Sequence, residues 1–135
     1  MSGLLSEHQG ACHCGAITFT VQAPSEELEI DDCNCSICYK KGFLHLIVPK
    51  SRFQQVKGQD HLNLYTFGTG TAKHYFCKTC GISPFYIPRS NPDGYDVNFR
   101  CLDHSSIKSY KIIPFDGKDN WEAGATTVAH KSVEN

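Results

Sequence analysis

The sequence predicts an all-β domain with small irregular elements, on three observations. Short runs alternate apolar and polar residues with the period of a half-buried strand, as in Ile17, Phe19 and Val21 against Thr18 and Thr20. No long stretch carries the 3.6-residue period of an amphipathic helix. Cysteines fall in clusters whose spacings suit metal ions better than disulfides, as expected of a small domain held by ions. A chain of 135 residues fits one domain.

The elements follow in order. The first ten residues read as a loose lead-in. Cys12-His13-Cys14-Gly15 is a C-x-C knuckle closed by a glycine that can take a positive φ. Ala16–Val21 is a strand, and Leu28–Asp31 a second one that delivers the chain into Cys33. Tyr39-Lys40-Lys41-Gly42 reads as a turn. Phe43–Val48 is a strand stopped by Pro49, and Lys50–Val56 a short helical turn with Ser51 as its cap. Leu62–Phe67 and Thr71–Phe76 are strands around Gly68-Thr69-Gly70. The second of them runs into Cys77-Lys78-Thr79-Cys80-Gly81, a C-x-x-C-G knuckle. Ser83–Pro88 is extended and aromatic, Asn91-Pro92-Asp93-Gly94 is a turn with proline at its second position, and Tyr95–Phe99 alternates again. Lys111–Phe115 is the last apolar piece. The polar tail from Lys118 docks through Trp121 and is then loose.

Seven of the eight cysteines sort by spacing. Cys12 and Cys14 with Cys77 and Cys80 make an all-thiolate quartet, the closed shell of a structural zinc. It would close a long loop, so the ion should contribute to folding. Cys33, Cys35 and Cys38 remain as a C-x-C-x-x-C trio. Three protein ligands with an exchangeable fourth position describe a catalytic zinc, and the spacing admits alternatives. The trio could be completed by Cys101, His45, His74 or His104, or the pairings could be shuffled. Cys101 is otherwise a small buried hydrophobe or a reactive thiol. His13 points away from the ion, His45 is a core histidine, and His61 and His130 are surface residues.

Three thiolates leave a zinc ion at formal charge −1, a poor activator of water but a good home for one more soft ligand. A thiol bound there is deprotonated, and a thiolate adds to a small carbonyl; the reverse step breaks a carbon–sulfur bond. The expected substrates are therefore thiols. With net charge −1 and arginine only at positions 52, 89 and 100, the chain shows no clustered basic surface, so nucleic-acid binding by this domain alone is not expected. No signal peptide and no apolar run of membrane length appears. Eight cysteines without an export signal point to a reducing compartment, cytoplasmic and secondarily nuclear.

Taken together, C-x-C-G, C-x-C-x-x-C, F-C-x-x-C-G, then Phe85-Tyr86-Ile87-Pro88-Arg89-Ser90-Asn91-Pro92-Asp93-Gly94 and Arg100-Cys101-Leu102-Asp103 resemble the glutathione-dependent formaldehyde-activating enzyme family. Asp32–Cys38 and Phe85–Pro92 are most similar to its centromere protein V branch. The resemblance spans roughly 10–121, leaving 1–9 as lead-in and 122–135 as tail. It implies an Mss4-like β-tent and two zinc ions per chain: a structural one on Cys12, Cys14, Cys77 and Cys80, and a second on Cys33, Cys35 and Cys38. The implied activity is a carbon–sulfur lyase that makes or breaks S-(hydroxymethyl)glutathione from glutathione and formaldehyde. Arg100 or Arg89 would hold a substrate carboxylate and Tyr86 would line the pocket. The alternative is a zinc-stapled protein-interaction module of centromere protein V type without turnover; a homodimer is compatible with either.

Overall fold

Alternating sequence becomes two sheets that share one apolar core. The structure, a computed structural model, describes residues 4–133. The strands are β1 (Leu5–Ala11), β2 (Thr18–Pro24), β3 (Leu28–Cys33), β4 (His45–Pro49), β5 (Phe53–Lys57), β6 (Leu62–Tyr65), β7 (Lys73–Cys77), β8 (Phe85–Ile87), β9 (Gly94–Asn98) and β10 (Tyr110–Phe115). Among the described residues two helices join them, α1 (Ser36–Lys41) and α2 (Trp121–Val128). A three-stranded sheet runs β1-β2-β5, and a seven-stranded sheet runs β10-β3-β4-β9-β8-β7-β6. All pairings are antiparallel except β10 with β3. Among the described residues, no helix is long and apolar enough to cross a membrane.

The core lies between the sheets. Phe19 on β2 stacks on Phe53 of β5 at 5.6 Å and meets Phe85 of β8 edge-on at 5.7 Å. Ile17, Val21, Ile30, Leu46, Val48, Val97 and Phe99 fill the space around them. Residues facing the other way on the large sheet are also buried. Asp31, His45, Tyr86 and Asp96 all have under a tenth of their surface exposed. This second face carries the site described below.

Four expectations change. The supposed lead-in contains β1, whose inward positions are His8 and Gly10 rather than large apolar residues. The helical turn foreseen over Lys50–Val56 shrinks to a 3-10 turn at Lys50–Arg52, and Phe53–Lys57 continues as a strand because β2 offers it an edge. The turn at Tyr39–Gly42 is the end of α1, closed by Gly42 in the left-handed conformation (φ 66°). The tail folds beyond Trp121: α2 and a 3-10 turn at Ala129–Ser132 are fastened by buried Asn91, whose Nδ2 donates to Val128 O (3.0 Å) and Ser132 Oγ (2.9 Å). The lead-in at 1–3 and the last tail residues, 134–135, lie outside the described residues.

Gly10 stands opposite Phe19, and a Cβ on it would lie 2.2 Å from the ring. Gly10→Ala should therefore cost about 1–3 kcal/mol through overpacking, read as a lower urea midpoint. In the Gly10→Ala/Phe19→Leu pair the combined loss should be smaller than the sum of the two singles.

Candidate metal centres and the cavity beside them

Two knuckles of the same design build the first cysteine group. In each, a glycine at positive φ folds the backbone back on its first cysteine: Gly15 N–H donates to Cys12 O (3.2 Å) and Gly81 N–H to Cys77 O (2.9 Å). Backbone amides also point at sulfur, Ile17 N–H to Cys12 Sγ and Thr79 N–H to Cys77 Sγ, both at 3.4 Å. Thiolates are stabilised by such donors. The Sγ atoms of Cys12, Cys14, Cys77 and Cys80 all lie within 4.8 Å of one another. Cys14 Sγ is 3.7 Å from Cys12 Sγ and 3.6 Å from Cys77 Sγ. A tetrahedral ion with sulfur at about 2.3 Å needs sulfur–sulfur edges of about 3.8 Å, whereas a disulfide needs about 2.05 Å. The spacing fits an ion and excludes a cystine. His13, between the two ligands, is exposed and belongs to neither group.

The second group is local. Cys33 ends β3, Cys35 is the N-cap residue of α1, and Cys38 sits in its first turn. Their sulfurs too lie within 4.8 Å of one another. Three thiols this close cannot all carry charge without a cation. Hydrogen bonds from Cys33 and then Cys38 hold the Cys35 thiol down to about 2. The Cys35 contact, with burial, pushes Cys33 up to about 11 against a lowering influence of Cys38; Cys38 is pushed well above the thiol range by Cys33, Cys35 and burial. A cation would relieve that competition, so the donor set fits a metal ion as the quartet does.

All three cysteines line a cavity of about 200 Å³ on the second face of the large sheet. Cross-strand neighbours bring the rest of the wall together. Asp31 pairs with His45, Asp96 with Tyr86, and Tyr86 with His74. His45 Nδ1–H donates to Asp96 Oδ2 at 2.7 Å, and the Tyr86 hydroxyl is 3.4 Å from the same nitrogen. His74 stacks on Tyr86 at 4.7 Å, and burial, helped by Lys41, holds it down to about 4, so it is neutral near pH 7. Half-buried Lys41 lies 4.8 Å over the Tyr86 ring and donates to Ser83 Oγ. Desolvation lowers its pKa, a trend opposed by Cys38 and Asp96. Tyr86 is raised well above its ordinary value by burial and then by Asp96.

The C-terminal segment supplies the remaining wall: Phe115, Gly117, Trp121 and Val128. Asn34, between two of the cysteines, ties this segment down. Its Nδ2 donates to Asp116 Oδ1 (3.1 Å), and its Oδ1 accepts from Lys118 N (2.9 Å). A Cβ on Gly117 would stand 2.7 Å from Cys33 Sγ, so only glycine allows this approach.

The sequence-derived candidates separate here. Arg89 and Tyr86 line the cavity, and Arg89 lies 3.5 Å over the Trp121 ring. Arg100 does not line it. That residue is exposed on a 3-10 turn whose N-cap, Asn98, accepts from Arg100 N (3.1 Å) while Asn98 and Phe99 turn inward. Cys101 joins neither cysteine group. Burial pushes its thiol up to about 12, and the nearest thiols acting on it are Cys12 and Cys80 of the quartet, not those of the trio. Of the other histidines, His104 donates to Phe99 O, and His61 pairs with Thr79 Oγ1 at the surface. Reading the residues one strand at a time missed Asp31, Asp96 and Gly117. A buried-strand Asp-x-Cys and Asp-x-Asn flanked by apolar residues is the signal that marks the first two.

The chain matches the family model described as "Glutathione-dependent formaldehyde-activating enzyme" over residues 7–113. A curated Halomonas elongata protein, named "Putative glutathione-dependent formaldehyde-activating enzyme", is 30% identical over 80 residues, covering 53% of this chain and 50% of that protein. The chain thus spans about half the length of that relative. A crystal structure of a Rhodobacter sphaeroides protein is similar with a TM-score of 0.63 and 36% identity, covering 76% of this chain and 99% of the other.

The two groups should respond differently to substitution. Cys77→Ser should lower the thermal midpoint by roughly 10 °C or more, because an ion that binds only the folded quartet adds its affinity to folding. Cys35→Ser should move it far less and remove one metal equivalent, counted by elemental analysis alongside differential scanning calorimetry.

Proposed function

The chain belongs to the glutathione-dependent formaldehyde-activating enzyme family, and on that premise we propose that it is a zinc-dependent carbon–sulfur lyase acting on a thiol–aldehyde adduct. Glutathione is the thiol and formaldehyde the aldehyde, joined or parted as S-(hydroxymethyl)glutathione. The observation that carries this reading is the cysteine trio opening onto a cavity while the quartet closes on itself. Cys12, Cys14, Cys77 and Cys80 would hold a structural zinc, and Cys33, Cys35 and Cys38 a second one. Bound there, zinc would supply positive charge that favours the thiolate form of a visiting thiol.

The chain's own residues do the rest. Arg89 is held flat against Trp121 at the cavity wall and presents a planar donor set suited to a glutathione carboxylate. Phe67, Trp121, Tyr86 and Ile47 line the space. Displacing water from this pocket favours the adduct over the aldehyde hydrate. The domain that performs this comprises the residues foreseen from 10 to 121 together with β1 and the α2 segment.

Protein loaded with two metal equivalents should bind glutathione and accelerate its condensation with formaldehyde. Cys35→Ser should remove turnover while leaving the fold intact, and Arg89→Ala should raise KM for glutathione about 10-fold or more, the loss of one charged contact. NMR detection of the hydroxymethyl adduct, with a cobalt-substituted sample to report thiol binding by its absorption spectrum, checks both. A fully loaded protein that binds no thiol and shows no turnover would leave the interaction-module reading in its place.

A further inference from the structure

Two of the three histidines buried among the described residues, His8 and His45, are bonded differently, and the difference assigns a role to one of them. His8 is fully buried and uses both ring nitrogens: Nδ1 meets Ser106 Oγ at 2.6 Å, and Nε2 meets Ala23 O at 3.0 Å. That is how a structural core histidine is satisfied. His45 is 3% exposed and uses one. Its Nδ1–H donates to Asp96 Oδ2, while its Nε2 is buried with no hydrogen-bond partner. A buried polar atom left bare costs about 1–3 kcal/mol, which a purely structural residue has no reason to bear. The ring lines the same cavity as Cys33, Cys35 and Cys38. No imidazole nitrogen lies within 4.8 Å of all three sulfurs, so His45 stands apart from the ligand cluster.

From this geometry we infer that His45 Nε2 is the proton carrier of the thiol–aldehyde reaction and that Asp96 is its positioning residue. The inference rests on the reading of the site given under Proposed function. In the direction of synthesis, the thiol S–H proton passes to His45 Nε2 and its electron pair stays on sulfur. That pair forms the S–C bond as the carbonyl π pair moves to oxygen, and the oxygen takes the proton back from Nε2. Cleavage runs the same transfers in reverse. One proton circulates, no electron is gained or lost, and nothing beyond thiol and aldehyde is consumed. Asp96 holds the ring in the tautomer that leaves Nε2 bare and stabilises the imidazolium that forms, the role a carboxylate plays toward histidine in a hydrolytic triad. The charged and titratable groups around the ring come from each element packed against it. They are Asp96 on β9, Tyr86 on β8, Asp31 on β3 with Lys131 bound to it at 3.0 Å, His74 on β7 and Lys41 on α1.

The test compares pH–rate profiles of the metal-loaded wild type, His45→Gln and Asp96→Asn, with metal content, glutathione binding and melting temperature measured on each. His45→Gln should keep both metal equivalents and its affinity for glutathione, lose about 10²–10⁴-fold in kcat, and lose the limb of the profile that a histidine sets. Asp96→Asn should keep that limb and lower kcat. Unchanged kcat and profile in His45→Gln would overturn the assignment, as would loss of one metal equivalent, which would make His45 a ligand. If His45→Gln does not fold, long-range proton–nitrogen spectra of the wild-type holoprotein decide. The Nε2 resonance should move when glutathione binds; indifference to glutathione would overturn the proposal. Wild-type protein that turns over normally beside an unaffected His45→Gln refutes the proton carrier alone. Loaded wild type with no turnover refutes the lyase reading, and the proton carrier falls with it.

Discussion

The large sheet is covered on both sides, and side-chain alternation along its central strands divides the protein into a core and a site. On β4, Leu46 and Val48 enter the core while His45 and Ile47 face the cavity. On β8, Phe85 goes to the core and Tyr86 to the cavity; on β9, Val97 and Asp96 divide in the same way. Register then aligns each face across strands. Leu46 sits beside Val97 and Val97 beside Phe85, whereas Ile47 sits beside Asp96 and Asp96 beside Tyr86. A slip of one residue in any of these strands would carry polar groups such as His45, Tyr86 or Asp96 into the apolar core. The packing that stabilises the fold is therefore also what aims the functional side chains.

Charge is arranged around the cavity with similar economy. The trio gathers three thiols, and Lys41, one turn along the helix that carries Cys38, is a half-buried cation on which Cys38 and Cys35 act. Asp31 is pushed up by burial, and Lys131 from the C-terminal segment opposes that shift through contacts at 3.0 and 3.3 Å. Lys131 is therefore part of the site's electrostatics, as Trp121 and Val128 are of its wall. Asn91 fastens the same segment to the tight turn before β9, so the turn read from Asn91-Pro92-Asp93-Gly94 also anchors the far end of the chain.

Much of this was legible in the residues. Strand alternation marked β2, β3, β4, β7 and β9 to within a few positions, and cysteine spacing separated the two groups that the fold brings together. What stayed hidden has physical causes. β1 presents His8 and Gly10 inward because a phenylalanine ring fills the space a side chain would take, so no apolar period shows. α1 is too short for a helical period and is held by a cap and two cysteines rather than by an apolar face. α2 gains its place from Asn91 and Lys131, bonds across long stretches of chain that no local pattern announces. The carboxylate–imidazole pair joins residues 51 positions apart, and His45 taken alone reads as an ordinary core histidine.

The two cysteine groups differ in what they close, and that difference separates folding from function. The quartet ties the end of β1 to the end of β7, 63 residues apart between Cys14 and Cys77. An ion there would offset a large loop-closure entropy and would stay bound for as long as the domain is folded. The trio spans six residues on one strand end and one helical turn, so an ion there closes almost no loop. The coordination of such an ion could change, and the sheets on either side would lose little by it. A fold that placed its exchangeable sulfur cluster on the long-range staple would have to loosen with each visit of a substrate. Here the quartet sits at one end of the core and the trio lies on the other face of the sheet, lining the cavity, so that under the proposed function a reaction there would leave the quartet undisturbed.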